Sequence, residues 1–232
     1  MASDRRIRNR LLNALAPADL AELADHFQLV GLPKKQIVYE VGSPLDQVYF
    51  VEEGLVSVLT MMEDGASSEV GMVGPEGLIG VSALLGGSVS AQHVVIQLPG
   101  SAYRIPAAAC KAVFDGNPRV RRVLLRFVED LLNLSAQTAA CNRLHQVEQR
   151  TARWLLMSSD RTDSQVLRLT QEFLAAMLGV RRSGISEAAG ELQRSGLIRY
   201  RRGEITIVDR AGLEAIACEC YGLDRQRVDR LL

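Results

Sequence analysis

The stretch "PRVRRVLLRFVEDLLNLSAQTAACNRLHQ", residues 118–146, contains no glycine, and no proline after its first residue. Proline suits the first turn of a helix, where its missing N–H costs nothing, and nothing downstream interrupts the hydrogen-bond ladder. With Leu124 as position a, the a positions are Leu124, Leu131, Thr138 and His145, and the d positions are Phe127, Leu134 and Cys141. An apolar seam sustained over about three heptads predicts a long helix lying lengthwise against another helix. The neighbour is either a second copy of the chain or the chain's own domain. The basic start, Arg119, Arg121 and Arg122, argues against full burial and favours a homodimer. Leu124, Phe127, Leu131, Leu134, Thr138 and Cys141 are the expected interface.

Upstream the period differs. "APADLAELADHF" places Leu20, Leu23, Ala24 and Phe27 at helical spacing behind Pro17, so the first 30 residues read as helical. From Lys34 to Pro106 short β-branched and aromatic runs alternate with Gly42, Pro44, Gly54, Gly65, Gly74 and Pro75. Short strands at that spacing predict a closed or two-sheet β architecture rather than βαβ units. Glu52 and Glu53, next to Gly54, read as a solvated turn. Helix returns at "AAACKAVF".

Downstream the order reads helix, helix, helix, hairpin, helix. "VEQRTARWLLMSS" carries Val147, Ala152, Leu155 and Leu156 for a core, beside Trp154. "TQEFLAAMLG" has Thr170 as N-cap and Gly179 as C-terminal glycine. "VRRSGISEAAGELQRSG" makes a further helix, and "LIRYRRGEITIV" reads as two strands about Arg202 and Gly203. Two helices joined by a short glycine-containing turn describe a helix-turn-helix. Its second helix needs a short or polar outer face to enter the roughly 12 Å wide major groove. Ser183, Gly184, Ser186 and Glu187 suit that face, while Ile185, Ala188, Ala189 and Leu192 suit the core. Arg181 and Arg182 then stand at the N-terminal end that points to the bases, and Arg199, Arg201 and Arg202 form a wing against phosphate.

Charge is segregated in the way such a reading requires. The 232 residues sum to zero net charge, with 47% hydrophobic and 23% charged residues. Residues 34–116 carry 4 Lys/Arg against 9 Asp/Glu, residues 117–145 carry 5 against 2, and residues 146–210 carry 11 against 8. A basic half suits a polyanion partner, although two solvated faces would look the same. The start, "MASDRRIRNRLLNALAP", has no apolar run of leader-peptide type, and no stretch has membrane-spanning length. A cytoplasmic protein with free thiols is expected, since Cys110, Cys141, Cys218 and Cys220 are too scattered for a disulfide framework.

End to end the chain resembles the CRP/FNR superfamily of bacterial transcription regulators, on the β segment with "VYFVEEGLVSVL", the long helix and "LTQEFLAAMLGVRRSGIS…LIRYRRGEITI". The resemblance implies an α+β chain: an N-terminal double-stranded β-helix (a jelly-roll-like β-roll), a long dimerisation helix and a C-terminal winged helix-turn-helix. The expected domains are residues 1–117, 118–145 and 146–232. It further implies a homodimer on a two-fold-related operator in double-stranded DNA, with RNA polymerase as partner if the protein activates. Arg182 matches a base-reading arginine, Thr170 a phosphate-contacting position, and Arg181, Ser183, Ser186 and Glu187 contacts to bases or nearby phosphate.

In cyclic-nucleotide-binding members the roll carries a Gly-Glu-Leu cassette and an Arg-Ser pair that neutralises the cyclic phosphate. Glu76, Gly77, Leu78 and Gly80 match the cassette loosely, Val89 and Ser90 stand at or close to the Arg-Ser position, and no arginine or lysine lies between Lys35 and Arg104. A phosphate there lacks its charge-assisted bonds, so cAMP is not expected as the effector. Cluster-bearing members need several cysteines near the N-terminus, and none precedes Cys110. Cys218 and Cys220, read on one helix, face different ways and are too few for a metal, so no cofactor is expected. His26, His93 and His145 share no ligand spacing, and no nucleophile elbow or P-loop points to an enzyme. Two rival readings stay open: an effector receptor whose winged domain contacts protein, and an effector-independent DNA regulator.

Overall fold

The structure, a computed structural model, describes residues 7–230. The outer ends of the expected first and last domains, and part of the leader-peptide reading, lie outside the described residues. Among those described, no helix is long and apolar enough to cross a membrane. The chain divides into two compact units, one ending at Val56 and resuming over Val73–Leu131, the other Ser57–Met72 with Leu132–Arg230.

In the first unit, α1 (Arg10–Asn13) and α2 (Pro17–Ala24) lead into β1 (Gln28–Leu32) and β2 (Ile37–Tyr39). Helix therefore ends earlier than the sequence suggests, because Phe27 is followed directly by a strand. The long strands β3 (Gln47–Met61) and β6 (His93–Pro106) organise the sheet, with β4 (Ser67–Val73), β5 (Leu78–Ile79) and α3 (Val81–Leu84) between them in sequence. β6 pairs with β2 near Val94 and Val95, then with β1 from Gly100 to Arg104. β3 likewise pairs with β5 at Tyr49 and Phe50, and with β4 further on. Each long strand thus serves two pairings along its length, as rolling up a sheet requires. The expected β-roll is present.

Gly54 is no turn. It sits inside β3 at φ +95°, where a Cβ would lie 2.7 Å from the Leu98 carbonyl oxygen, and at Gly100 opposite a Cβ would lie 1.9 Å from the Glu53 oxygen. The two glycines let β3 and β6 approach with no side chain between them. Glu52, expected in a solvated corner, is 3% exposed and accepts the backbone N–H groups of Arg8 and Asn9, each at 2.9 Å.

After α4 (Ala107–Gly116), α5 (Pro118–Leu144) runs unbroken through the whole predicted stretch. Its foot is tied down where Arg119 Nε donates to Asp19 at 2.8 Å, and with Asn117 it holds that carboxyl down at about 2. The expected dimer seam turns inward. Leu124, Phe127, Leu134 and Cys141 are all buried in their own chain, while Leu131 and Thr138 are half-buried. Phe127 lies where a Cβ on Gly77 would meet its ring at 2.4 Å, and Thr138 accepts a hydrogen bond from Arg153 at 3.1 Å. Of its large apolar residues α5 leaves exposed Leu125 (42%) and Leu132 (67%), each one residue past a seam position, and Leu144 (74%) at its end. A heptad fixes that a seam exists, not which surface fills it.

The second unit is built on α6 (Val147–Thr162), whose residues Leu155 and Leu156 are fully buried. A short strand β7 (Val166–Leu167), invisible in the sequence, precedes α7 (Gln171–Leu178) and α8 (Arg182–Arg194). β8 (Ile198–Arg201) and β9 (Glu204–Ile207) form the expected hairpin, and β7 adds a third strand in the order β7-β9-β8. Its turn has φ +51° at Arg202 and +76° at Gly203, the twist that two-residue hairpins favour. The final helix is in fact two, α9 (Arg210–Ile216) and α10 (Cys220–Arg230). Cys218 lies in the turn between them, where Ala217 is extended at ψ 145°. The helical argument that set Cys218 and Cys220 on different faces therefore does not apply.

Candidate DNA-binding interface

The outer surface of α7, α8 and the hairpin is assembled by short-range chemistry. Thr170 caps α7, its Oγ1 accepting from Phe173 N at 3.2 Å. Gly179 ends the helix at φ +60°, and Val180 N donates back to the Ala175 carbonyl at 3.0 Å. Arg150, buried on α6, donates one guanidinium N–H to the Leu178 carbonyl and another to Asn142 Oδ1 at 2.8 Å. That arginine satisfies an orphan carbonyl at the end of α7 and so fixes the turn into α8. Sequence reasoning missed it, because a buried arginine looks like any other until its partners are known.

Ile185, Ala188, Ala189 and Leu192 are all buried, which turns Arg181, Arg182, Ser183, Ser186 and Glu187 outward, each of them exposed. Arg181 is the N-cap residue of α8, and the first turn holds no acidic residue. Two arginines at the positive end of a helix dipole are unfavourable by about 0.3–1 kcal/mol each, and an anion docked there reverses the sign. Ser186 is partly committed inside the motif, donating to Gln171 Oε1 at 2.7 Å. Gln171 N in turn donates to the Tyr200 hydroxyl at 3.1 Å, joining α7 to the hairpin.

Arg199, Arg201 and Arg202 are exposed on the hairpin. Arg168, just before Thr170, adds a further cation with its side chain 80% exposed and a 3.4 Å approach to Glu204. It was missed because β7, which positions it, is too short to leave a periodic signal. Thr170, Arg181 and Arg182 thus share one surface with α8 and the wing.

The cassette-like segment of the roll is arranged differently. Glu76 (5% exposed) and Leu78 (1%) are buried. The Gly77 carbonyl accepts from Asn9 Nδ2 at 2.8 Å, and its N–H donates to Gly74 O at 3.0 Å. Gly80, at φ +88°, caps α3, and a Cβ there would lie 2.7 Å from the Gln47 carbonyl oxygen. Ser90 donates its hydroxyl to Gln92 O at 2.7 Å, and Arg104 is turned to Gln28. These groups are spent on the fold itself.

A family model described as the Crp-like helix-turn-helix domain matches residues 149–216, and one described as the cyclic nucleotide-binding domain matches residues 29–117. A transcriptional regulatory protein, btr, of Bordetella pertussis is 28% identical over 86% of each chain. A CRP-like cAMP-activated global transcriptional regulator of Mycobacterium tuberculosis is 24% identical over 87% of this chain and 93% of its own. The crystal structure of a CRP/FNR-family transcriptional regulator from Thermus thermophilus, 25% identical, superposes with a TM-score of 0.69 over 82% of this chain and 98% of that one. With both halves of the architecture matched in order, the chain belongs to the CRP/FNR family of DNA-binding transcription regulators.

Proposed function

We propose that the protein binds a two-fold-related operator as a homodimer, reading bases through the first turn of α8 and holding phosphate with Thr170, Arg199, Arg201 and Arg202. The observation that carries this reading is the pair Arg181 and Arg182, exposed at the dipole-positive end of a helix whose opposite face is fully packed. Arg182 is assigned to guanine O6 and N7, and Arg181, Ser183, Ser186 and Glu187 to neighbouring bases or phosphate. The partner copy is assigned to the exposed face of α5 with Leu125 and Leu132, because the seam through Leu124 and Phe127 is already filled. Residues 118–145 then form the dimer helix between a sensor domain, 1–117, and a DNA-binding domain, 146–232. RNA polymerase is a further partner if the protein activates. The role is regulatory, not catalytic, and cytoplasmic.

Arg182→Ala is expected to cost about 1–3 kcal/mol on the cognate operator and to relax preference at one base pair in each half-site. Arg201→Ala is expected to weaken all sequences alike and to reduce the salt slope by about one unit. Salt-dependent binding isotherms on a set of single-base operator variants separate the two. Identical losses for both variants on every operator would remove the recognition-helix assignment.

The relative from Mycobacterium tuberculosis is named as cAMP-activated. For this chain we propose no response to cAMP, because no lysine or arginine lies between Lys35 and Arg104, and Gly77 and Ser90 are bonded to Asn9 and Gln92 of the fold. Isothermal titration with cAMP should give no binding heat, and cAMP should leave the melting temperature unmoved. A ligand at 100 times its Kd would add about 2.7 kcal/mol of stability, which such a scan would detect.

A further inference from the structure

Cys141 lies in the last turn of α5 and His145 directly follows the helix, one turn on, and the α9–α10 turn brings Cys218 and Cys220 up to them. One potential ligand atom from each residue falls in a group whose members all lie within 4.8 Å of one another. The Cys141 and Cys218 sulfurs are 3.6 Å apart, and Cys220 Sγ is 3.6 Å from His145 Nδ1. We propose that these four side chains form a mononuclear site for a thiophilic divalent ion of the zinc class, fastening the end of α5 to the start of α10.

The Cys141–Cys218 and Cys220–His145 separations fit such an ion. A tetrahedral zinc, with sulfur at about 2.3 Å and nitrogen at about 2.0–2.1 Å, sets its sulfurs about 3.8 Å apart and a sulfur about 3.6 Å from the nitrogen. A multi-iron cluster must fit its whole core between its ligands, and this group is too tight for one. The surroundings are those a metal site needs. His145 turns Nδ1 toward the sulfurs while Nε2 stands 3.2 Å from the Glu219 carboxylate, the carboxylate–imidazole arrangement that orients a ligating histidine. Gln137 Nε2 donates to Cys220 Sγ at 2.9 Å, an N–H···S bond of the kind that steadies a thiolate ligand. The three thiols are buried and free, at 0%, 4% and 0% exposure for Cys141, Cys218 and Cys220.

Charge balance points the same way. Three thiolates, a neutral imidazole and a divalent ion sum to one negative charge in a buried place. Two buried arginines on α6, Arg150 and Arg153, are close enough to interact electrostatically with Cys141. Each thiol gives up its proton to solvent as the ion binds, so loading releases protons and needs no redox partner. The site does not depend on how the chain reads DNA.

The test uses the full-length, reduced, chelator-washed protein. Titration with cobalt(II) should give sulfur-to-cobalt charge-transfer and tetrahedral ligand-field bands saturating at one ion per chain, and zinc should displace the cobalt and raise the melting temperature. Glu219→Gln, whose side chain is 72% exposed, should leave the metal-free fold intact and weaken zinc about 10–100-fold. A Cys141→Ser, Cys220→Ser double variant should lose the bands, whereas Cys110→Ser should keep them. Absence of the bands in folded wild-type protein, their survival in the double variant, or equal zinc affinity in Glu219→Gln and wild type would each overturn the assignment.

Discussion

Asp224→Asn is expected to destabilise the C-terminal unit by about 3–5 kcal/mol, more than any single change on its DNA-facing surface. Asp224 on α10 is 3% exposed and receives Arg161 of α6 through both oxygens, at 2.9 and 3.3 Å, with Arg227 on the same carboxylate. Burial alone would push this carboxyl up, but the two arginines overcome that and hold it below the ordinary range. Neutralising it takes an anion bonded at two points away from the Arg161 guanidinium, which is only 5% exposed. Breaking a buried pair is costly because the remaining charge stays desolvated; an exposed pair is worth about 0–1 kcal/mol. Arg210 and Asp160, at 34% and 33% exposure, supply that contrast within the same unit. Urea unfolding followed by the fluorescence of Trp154, the chain's one tryptophan, gives the comparison. A loss for Asp224→Asn no larger than that for Asp160→Asn would show the pair to be solvated.

What could be read from the sequence was whatever depends on near neighbours. The helix after Pro118, the Thr170 cap, the Gly179 stop and the Arg202–Gly203 turn are local, and the structure has each of them. The polar outer face of α8 followed from the same logic, since a helix that buries Ile185, Ala188, Ala189 and Leu192 has only one face left. Properties set by distant partners were not readable. Gly54 looks like a turn until Gly100 is opposite it, and the α5 seam looks like a dimer face until Gly77 lies under Phe127. The buried arginines of α6 are explained by distant partners such as the Leu178 carbonyl, Thr138 and Asp224. Cys141 and His145, at a 3.6-period spacing, were noticed as heptad positions. Their neighbours Cys218 and Cys220 come from 77 and 75 residues away in sequence respectively, a separation that periodicity cannot bridge.

Glu69 leads to the second large effect, because it joins the β3–β4 hairpin to the helix that carries the DNA-binding motif. Its carboxylate accepts the Trp154 indole N–H at 2.9 Å and the Ser57 hydroxyl, with the charges of Arg153 and Arg161 on α6 also acting on it. Burial raises its pKa to about 7, since these bonds and charges only partly offset desolvation. A carboxyl of this kind keeps its proton in the folded chain at pH values where the unfolded chain has already lost it. Its contribution is therefore greatest below the unfolded value of 4.5 and falls as the pH rises through about 7. Relative to Glu69→Gln, which cannot ionise, the wild type should lose about 3 kcal/mol between pH 4.5 and pH 7. Parallel stability curves for the two proteins across that window, read by Trp154 fluorescence, would mean that water or a cation already solvates the carboxylate. The expected divergence would instead make the proton on Glu69 a term in how firmly the hairpin holds α6. The same proton would then bear on α8, because α6 also carries Arg150, which fixes the turn into α8 through the Leu178 carbonyl.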